Sequence, residues 1–526
     1  MLEAGVAGDR PREVAVLVVG GGINGAGILW EFALRGVPAL LVEARDLAAG
    51  TSGRCHGLLH SGSRYAVSDP VTAARCAREN AIIRRVAPHA LLETGALQVL
   101  LEGDDARYVE LWEPACAAAG IPVEEISPTL ARRLEPRLSP QVRRAFRVPD
   151  AAVDPFVLVE SLVYSAATRG ATWLNHTRLE AVRLREGGVV GAELRDERTG
   201  ERWEVACQAI VNAAGPWAAE VAALAGAEVA IEYHRGALLV LDHRVNRTVV
   251  NRLRPPGDGD LVVPEGPVTL LGTTEVPVAA PGDIRVGAAE VSQLLRLGGE
   301  LLPGIEQMRV LRAFAGVRAL VRNEVSAGEA PASGSPAAGV PRELSRSHQV
   351  VDHAAAGGPR GLISVLGGKL TTFRVVAEEV VDLVLTRPEA GDAPPAASRE
   401  ISVLAPPWRR RPGMEPLVCE CEGVARRQVL DAARQGRAAD LDDLRRRVRL
   451  GMGPCQGANC AYRAIAALQE AGALDWPGAV ESFDAFRAER LAGQELVEWG
   501  SQAREMQVSK DLAGLLRGQV ASPPGR

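Results

Sequence analysis

Residues 13–36, EVAVLVVGGGINGAGILWEFALRG, pass from an unbroken apolar run through a glycine turn into a segment of helical character ending at Gly36. Strand, tight loop and helix in this order open a dinucleotide-binding βαβ unit, which sets the fold class as α/β. The glycines divide the work. Gly20 makes the turn, Gly22 lets backbone approach a pyrophosphate, and Gly25 allows helix and strand to pack closely. The helix N-terminus then offers free N–H groups and a partial positive charge to the phosphates. The next apolar stretch, PALLVEARD, brings Glu43 about twenty residues beyond the glycines, where an acid accepts hydrogen bonds from a ribose.

Outward from this unit the chain alternates. Segment 70–93 has a helical pattern, and VDPFVLVESLVYSAATRG starts another helix near Asp154. Strand-like runs fall around 171–174, 180–195 and 201–212, followed by ALLVLDH, LVVPEG and VTLLGTTE. CQAIVNAAGPWAAEVAAL reads as a second strand, turn and helix, so its loop, Asn212 to Gly215, is expected beside the first. A sheet-rich insertion between βα units predicts a Rossmann-like cofactor domain interleaved with a mixed-sheet substrate domain. Two stretches read as linkers: SAGEAPASGSPAAGVP, about 326–341, as an exposed loop, and 387–416, whose WRRRPG run is read as solvated rather than as a docking patch.

The chain of 526 residues is 47 % hydrophobic and 24 % charged, enough for two or more cores. Its formal net charge of -5 argues against nucleic acid as the main partner, while abundant arginine leaves room for local anion sites. No apolar run reaches the length needed to span a bilayer. Cys55, Cys76, Cys116 and Cys207 are scattered, and the N-terminus lacks the pattern of a signal peptide, so a reduced, cytoplasmic setting is expected. The other four cysteines are gathered: Cys419 and Cys421 in VCECEG, Cys455 and Cys460 in GMGPCQGANC. Such a thiolate quartet selects an iron-sulfur cluster or structural zinc.

The ordered set GGGINGAG, TSGRCHGLLHSGSRYAVSDP, VPDAAVDPFVLVES, IVNAAGPWA, LLGTTE, FAGVRALV, LGGKLTTFR, LVCECEGV and GMGPCQGANC resembles the FAD-dependent glycerol-3-phosphate dehydrogenases. Within them it is most similar to the A subunit of the anaerobic, three-subunit enzyme. The cysteine module resembles the [2Fe-2S] domain of the bacterioferritin-associated ferredoxin type, here small and mainly α. The resemblance implies oxidation of sn-glycerol 3-phosphate to dihydroxyacetone phosphate, with hydride passing from C2 to FAD and electrons through the cluster to partner subunits, then to quinone. Those partners are a second flavoprotein and an iron-sulfur subunit that attaches the complex peripherally to the inner face of the cell membrane. The domains expected are 1–386 for the oxidoreductase, 387–416 for the linker, 417–472 for the [2Fe-2S] module and 473–526 for a helical tail, which either packs back or meets another protein of the complex.

A phosphorylated alcohol requires cations, preferably arginine forks. Arg64, Arg318, Arg346 and Lys369 match the family's motifs for this task, with Tyr65 shaping the pocket. His60 is the first choice for the base that takes the hydroxyl proton, ahead of His234. Two departures stand out: Arg235 replaces a lysine common in the family, and Ala319 a proline after the arginine. Thr51 and Ser52 sit where the family contacts the pyrophosphate, while Asn212, Ala213, Gly215, Gly367, Gly368, Leu370 and Thr371 are expected near the flavin. Cys419, Cys421, Cys455 and Cys460 are the expected cluster ligands. Two other readings compete: oxidation of an amino acid or hydroxy acid by the same architecture, and a catalytically idle electron-transfer or metal-sensing protein.

Overall fold

The computed structural model describes residues 10–321, 347–386, 394–410 and 413–516. Strand Val16–Val19 lies between Ala39–Val42 and Ala209–Asn212 in a six-stranded sheet, parallel to both. Thr172–Leu174 and Leu362–Gly367 extend it in parallel, and His348–Asp352 closes one edge antiparallel. VLVV and ALLV are apolar at every position because both faces are covered. Val16, Val18 and Leu41 pack under helices Ile23–Leu34, Pro155–Ala167 and Phe373–Leu385, whereas Leu17, Val19 and Leu40 meet a three-stranded meander.

The meander supplies a correction. The run 180–195 is not one strand but a hairpin, Thr177–Arg185 and Gly188–Asp196, turning at Glu186 and Gly187, which both have positive φ. Helix Pro70–Val86 is also shorter than the pattern over 70–93: Pro88 starts a separate turn, and Leu91–Leu92 is extended.

The second sheet takes strands from two insertions. Ala96–Leu101, Glu124–Ile126 and Val142–Val148 come from the first, and Ile231–Leu241 through Val310–Val321 from the second. The longest strands, Ile231–Leu241 and Val310–Val321, pair antiparallel with Val310–Val321 outermost. The cofactor sheet and the mixed substrate sheet are thus interleaved along the chain, as the sequence predicts.

After residue 413 the chain becomes mainly helical. Helices Arg426–Arg434, Leu441–Val448, Ala461–Glu470 and Trp476–Leu491 share a core that includes Val429, Leu444, Leu468 and Phe486. This module is pinned to the α/β part by buried charge. Asp46 accepts from Arg446 Nε at 2.7 Å and from Arg447 Nη1 and Nη2 at 2.9 and 2.5 Å. Nor is 394–410 a solvated connector: Trp408 is 3 % exposed and donates to Glu160 Oε2 at 3.0 Å, and Arg409 Nε donates to the same oxygen at 3.2 Å. The buried carboxylate of Glu160, far away in sequence, draws the tryptophan and the first arginine of the WRRRPG run inward.

The tail packs back as well. Gly493 carbonyl oxygen accepts from Ala313 N at 3.2 Å, and Gln502 Nε2 donates to Val310 O at 2.7 Å, both on the outermost strand. Among the described residues no helix is long and apolar enough to cross a membrane. The stretch 326–341, read as an exposed loop, lies outside the described residues.

Candidate active site

The first glycine turn is fixed by contacts that leave no room for side chains. Gly20 has φ +112°, and a Cβ on it would fall 2.5 Å from Ala213 O; one on Gly25 would fall 1.9 Å from Gly20 O. The two βα loops therefore touch, as expected. Helix Ile23–Leu34 begins without a side-chain bond from its N-cap residue and without an acid in its first turn, so the partial charge at its N-terminus is met from outside the helix. Ser52 Oγ accepts from Ile23 N at 3.0 Å, and Glu43 Oε2 from Gly21 N at 2.7 Å.

These groups open onto a cavity of about 710 Å³ between the two sheets. Its wall brings together Gly20, Gly22, Glu43, Thr51, Ser52, Ala213, Gly215, Gly367, Gly368 and Leu370 with His60, Arg64, Tyr65, Arg318 and Lys369. Gly25, Asn212 and Thr371 stand behind the wall. Asn212 Nδ2 donates to Ala218 O at 2.8 Å and to Ser364 Oγ at 3.1 Å, which fixes its loop, and Thr371 Oγ1 accepts from His60 N at 3.0 Å. Arg346 lies outside the described residues.

The loop carrying His60 to Tyr65 is held from several sides. Asp150 Oδ1 accepts from Ser61 N at 2.5 Å, Trp112 Nε1 donates to Ser63 O at 2.7 Å, and Gly62, with φ +97°, lies against Ala73. The His60 ring meets His56 and Tyr65 edge-on, with centroids 5.5 Å apart in both pairs. Lys369 Nζ sits 4.7 Å from the centre of the Tyr65 ring, a cation over an aromatic face.

The arginines differ in how they are held. Arg318 Nη2 donates to Thr273 Oγ1 at 2.8 Å, and its guanidinium occupies space that only a glycine at 236 leaves open. Arg64 donates to Asn251 Oδ1 at 3.1 Å, Gly257 O at 2.8 Å and Asp260 Oδ2 at 3.0 Å. Asp260 also receives Arg254 Nε at 2.9 Å, so two arginines share one carboxylate and a positive charge is left over. Arg235 turns away from the cavity, pairing with Glu290 at 2.6 Å, and His234 lies 3.3 Å from Glu275.

Sequence reasoning missed Asp260, Thr273, Gly236 and His56. Thr273 and His56 lie inside the motifs LLGTTE and GRCHGLLH, which were their only signal. Asp260 sits in an unremarkable loop.

In the C-terminal module Cys460 Sγ is within hydrogen-bonding reach of Cys419 and Cys455, and Cys455 of Cys421. Backbone N–H groups of Gly451 and Glu422 point to Cys419, and those of Gly457 and Asn459 to Cys455. A Cβ on Gly453 would fall 2.4 Å from Cys421 Cβ, so the glycine keeps the two cysteine segments together. Four sulfurs in a row, Cys419, Cys460, Cys455 and Cys421, with N–H donors at two of them fit an iron-sulfur cluster, as the glycine cradle at the start of helix Ile23–Leu34 fits a dinucleotide.

Comparison with known proteins agrees with this division. Residues 15–374 match the family model described as FAD dependent oxidoreductase, and residues 417–470 that of the BFD-like [2Fe-2S] binding domain. The chain is 38 % identical to the A subunit of the anaerobic glycerol-3-phosphate dehydrogenase of Escherichia coli K12, over 96 % of this chain and 97 % of that one. It is 36 % identical to the A1 subunit of the enzyme of the same name from Haloferax volcanii, over 93 % and 88 %. Among solved structures, the glycerol-3-phosphate dehydrogenase from Bacillus halodurans, complexed with FAD, superposes with a TM-score of 0.68 at 20 % identity, covering 93 % of this chain and 97 % of that one.

Proposed function

Because the chain belongs to the family of anaerobic glycerol-3-phosphate dehydrogenase A subunits, we propose that its 710 Å³ cavity is where sn-glycerol 3-phosphate is oxidised to dihydroxyacetone phosphate. The protein is an FAD-dependent oxidoreductase with a [2Fe-2S] domain. When bound, FAD supplies a two-electron acceptor and the cluster a one-electron carrier. The observation that carries the reading is the meeting of Arg64, Arg318 and Lys369 with the glycine cradle on one cavity.

Each residue has a task in this reading. Gly20, Gly22 and Ser52 receive the pyrophosphate at the start of helix Ile23–Leu34, and Glu43 receives the ribose. Arg318, braced by Thr273, forks onto the substrate phosphate. The surplus charge of the Arg64–Asp260–Arg254 group and Lys369 complete the neutralisation. His60, oriented by its backbone bond to Thr371 and by the rings of His56 and Tyr65, takes the C2 hydroxyl proton. Cys419, Cys421, Cys455 and Cys460 hold the cluster.

The names of the relatives, each one lettered member of a larger enzyme, support further subunits, here a second flavoprotein and an iron-sulfur protein. Through them electrons reach quinone and the chain attaches peripherally to the inner face of the membrane. The test is an anaerobic visible spectrum with metal analysis, before and after adding sn-glycerol 3-phosphate. Flavin bleaching with an EPR signal from a reduced cluster is expected; an inert flavin would sink the substrate assignment.

A further inference from the structure

Between the flavoprotein part and the cysteine module lies a second cavity of about 100 Å³, and Cys55 lines both it and the large one. Its charge is unevenly placed. Arg54 and Arg312 share Glu489, at 3.3 and 3.5 Å, while Arg490 hydrogen-bonds only the neutral Gln456. Arg445 is balanced by Asp442 at 2.6 Å. Three arginines therefore face Glu489, while the other carboxylate of the lining, Glu265, is held by Arg449 at 2.5 Å. Moreover, Arg312 Nε and Arg490 Nε are buried without a hydrogen-bond partner, on side chains 5 % and 7 % exposed respectively.

Unpaired guanidinium groups are expensive to bury. Burial, with repulsion from Arg445 and Arg54, holds Arg312 down to about 10, and burial with repulsion from Arg312 and Arg445 lowers Arg490 as well. At the opposite end Glu265 also has a buried, unpartnered oxygen, and burial raises its carboxyl to about 7. Donors thus predominate around a space large enough for several waters or one tetrahedral oxyanion.

We propose that this interdomain cavity is a binding site for a small inorganic anion of halide to phosphate size, held by Arg312 and Arg490. The anion supplies the charge that Glu489 alone does not, and it joins the two parts of the chain because Arg312 belongs to one and Arg490 to the other.

The test uses the full-length holoprotein carrying Arg318→Met, which weakens phosphate binding in the large cavity. Its melting temperature is followed as potassium chloride or potassium phosphate replaces potassium gluconate at fixed ionic strength, gluconate being too large for the cavity. A saturable rise is expected with at least one of the two anions. In Arg490→Met the saturable part disappears, and in Arg490→Lys half-saturation moves upward about tenfold or more because the fork is lost. No saturable rise with either anion, or the same half-saturation in Arg490→Lys as in its parent, overturns the proposal and leaves a cavity holding water.

Discussion

Gly236 lies diagonally across the paired strands from Arg318, two positions from its register partner Gly316, and so close that a Cβ on the glycine would lie 2.5 Å from Arg318 Nη2 and 2.9 Å from its Cζ. The guanidinium is therefore aimed by the absence of a neighbouring side chain as much as by Thr273. Gly236→Ala should displace Arg318 without removing it. A misplaced charged hydrogen bond costs about 1.5–3 kcal/mol, so kcat/KM for sn-glycerol 3-phosphate should fall roughly ten- to hundredfold. Steady-state kinetics with an artificial acceptor would show this, with FAD content unchanged.

Asp46 is fully buried beneath Arg446 and Arg447, and Arg447 is itself fully buried. Asp46→Ala takes from Arg447 its nearest carboxylate, leaving Glu160 at 3.4 Å, and leaves Arg446 to Asp442 and Asp443 at the junction of the two parts. Loss of one partner from a buried ion pair costs about 3–5 kcal/mol. The variant should unfold at lower urea, and limited proteolysis should release the cysteine module sooner.

Stability should depend on Glu265 in a predictable direction. Burial raises its folded pKa from the ordinary value of 4.5 to about 7, with Arg449 opposing and Asp154 and Glu422 adding to the rise. Between those values the folded state keeps a proton that the unfolded chain has released. Its contribution is therefore fully present below about pH 4.5, declines as pH rises, and levels off above about 7. Glu265→Gln removes the titration. Its melting temperature relative to wild type should climb through that window and then stay constant; parallel pH profiles would refute the assignment.

Cys455→Ala should separate the two redox steps. Iron content and the cluster's visible absorption should drop, while anaerobic bleaching of the flavin by substrate persists. Turnover with one-electron acceptors that rely on the cluster should fall in proportion to lost iron. Unchanged iron would remove Cys455 from the ligand set.

The sequence revealed what short-range chemistry determines. Gly20, Gly22 and Gly25 act within one turn of Ile23–Leu34, so strand, loop and helix could be read together. The cysteine pairs were legible for the same reason. What escaped depends on partners distant in the chain: Trp408 looks like a linker residue until Glu160 is placed beneath it, and Arg64 looks free until Asp260 takes part of its charge. Arg235 keeps the charge of the lysine it replaces, but Glu290 draws its guanidinium away from the cavity. The hairpin at Glu186–Gly187 was legible, because Arg185-Glu186-Gly187-Gly188 interrupt the apolar alternation with a turn signature.

The contacts of Gly493 and Gln502 with strand Val310–Val321 place the tail along the outer margin of the nine-stranded sheet. A strand of twelve residues in that position carries a row of backbone groups ready to recruit a strand from another molecule. The tail occupies part of that row, so a chain ending at Leu491 would keep the cysteine module's ligands and core yet gain a sticky border. Self-association, rather than lost chemistry, would be the first symptom of truncation.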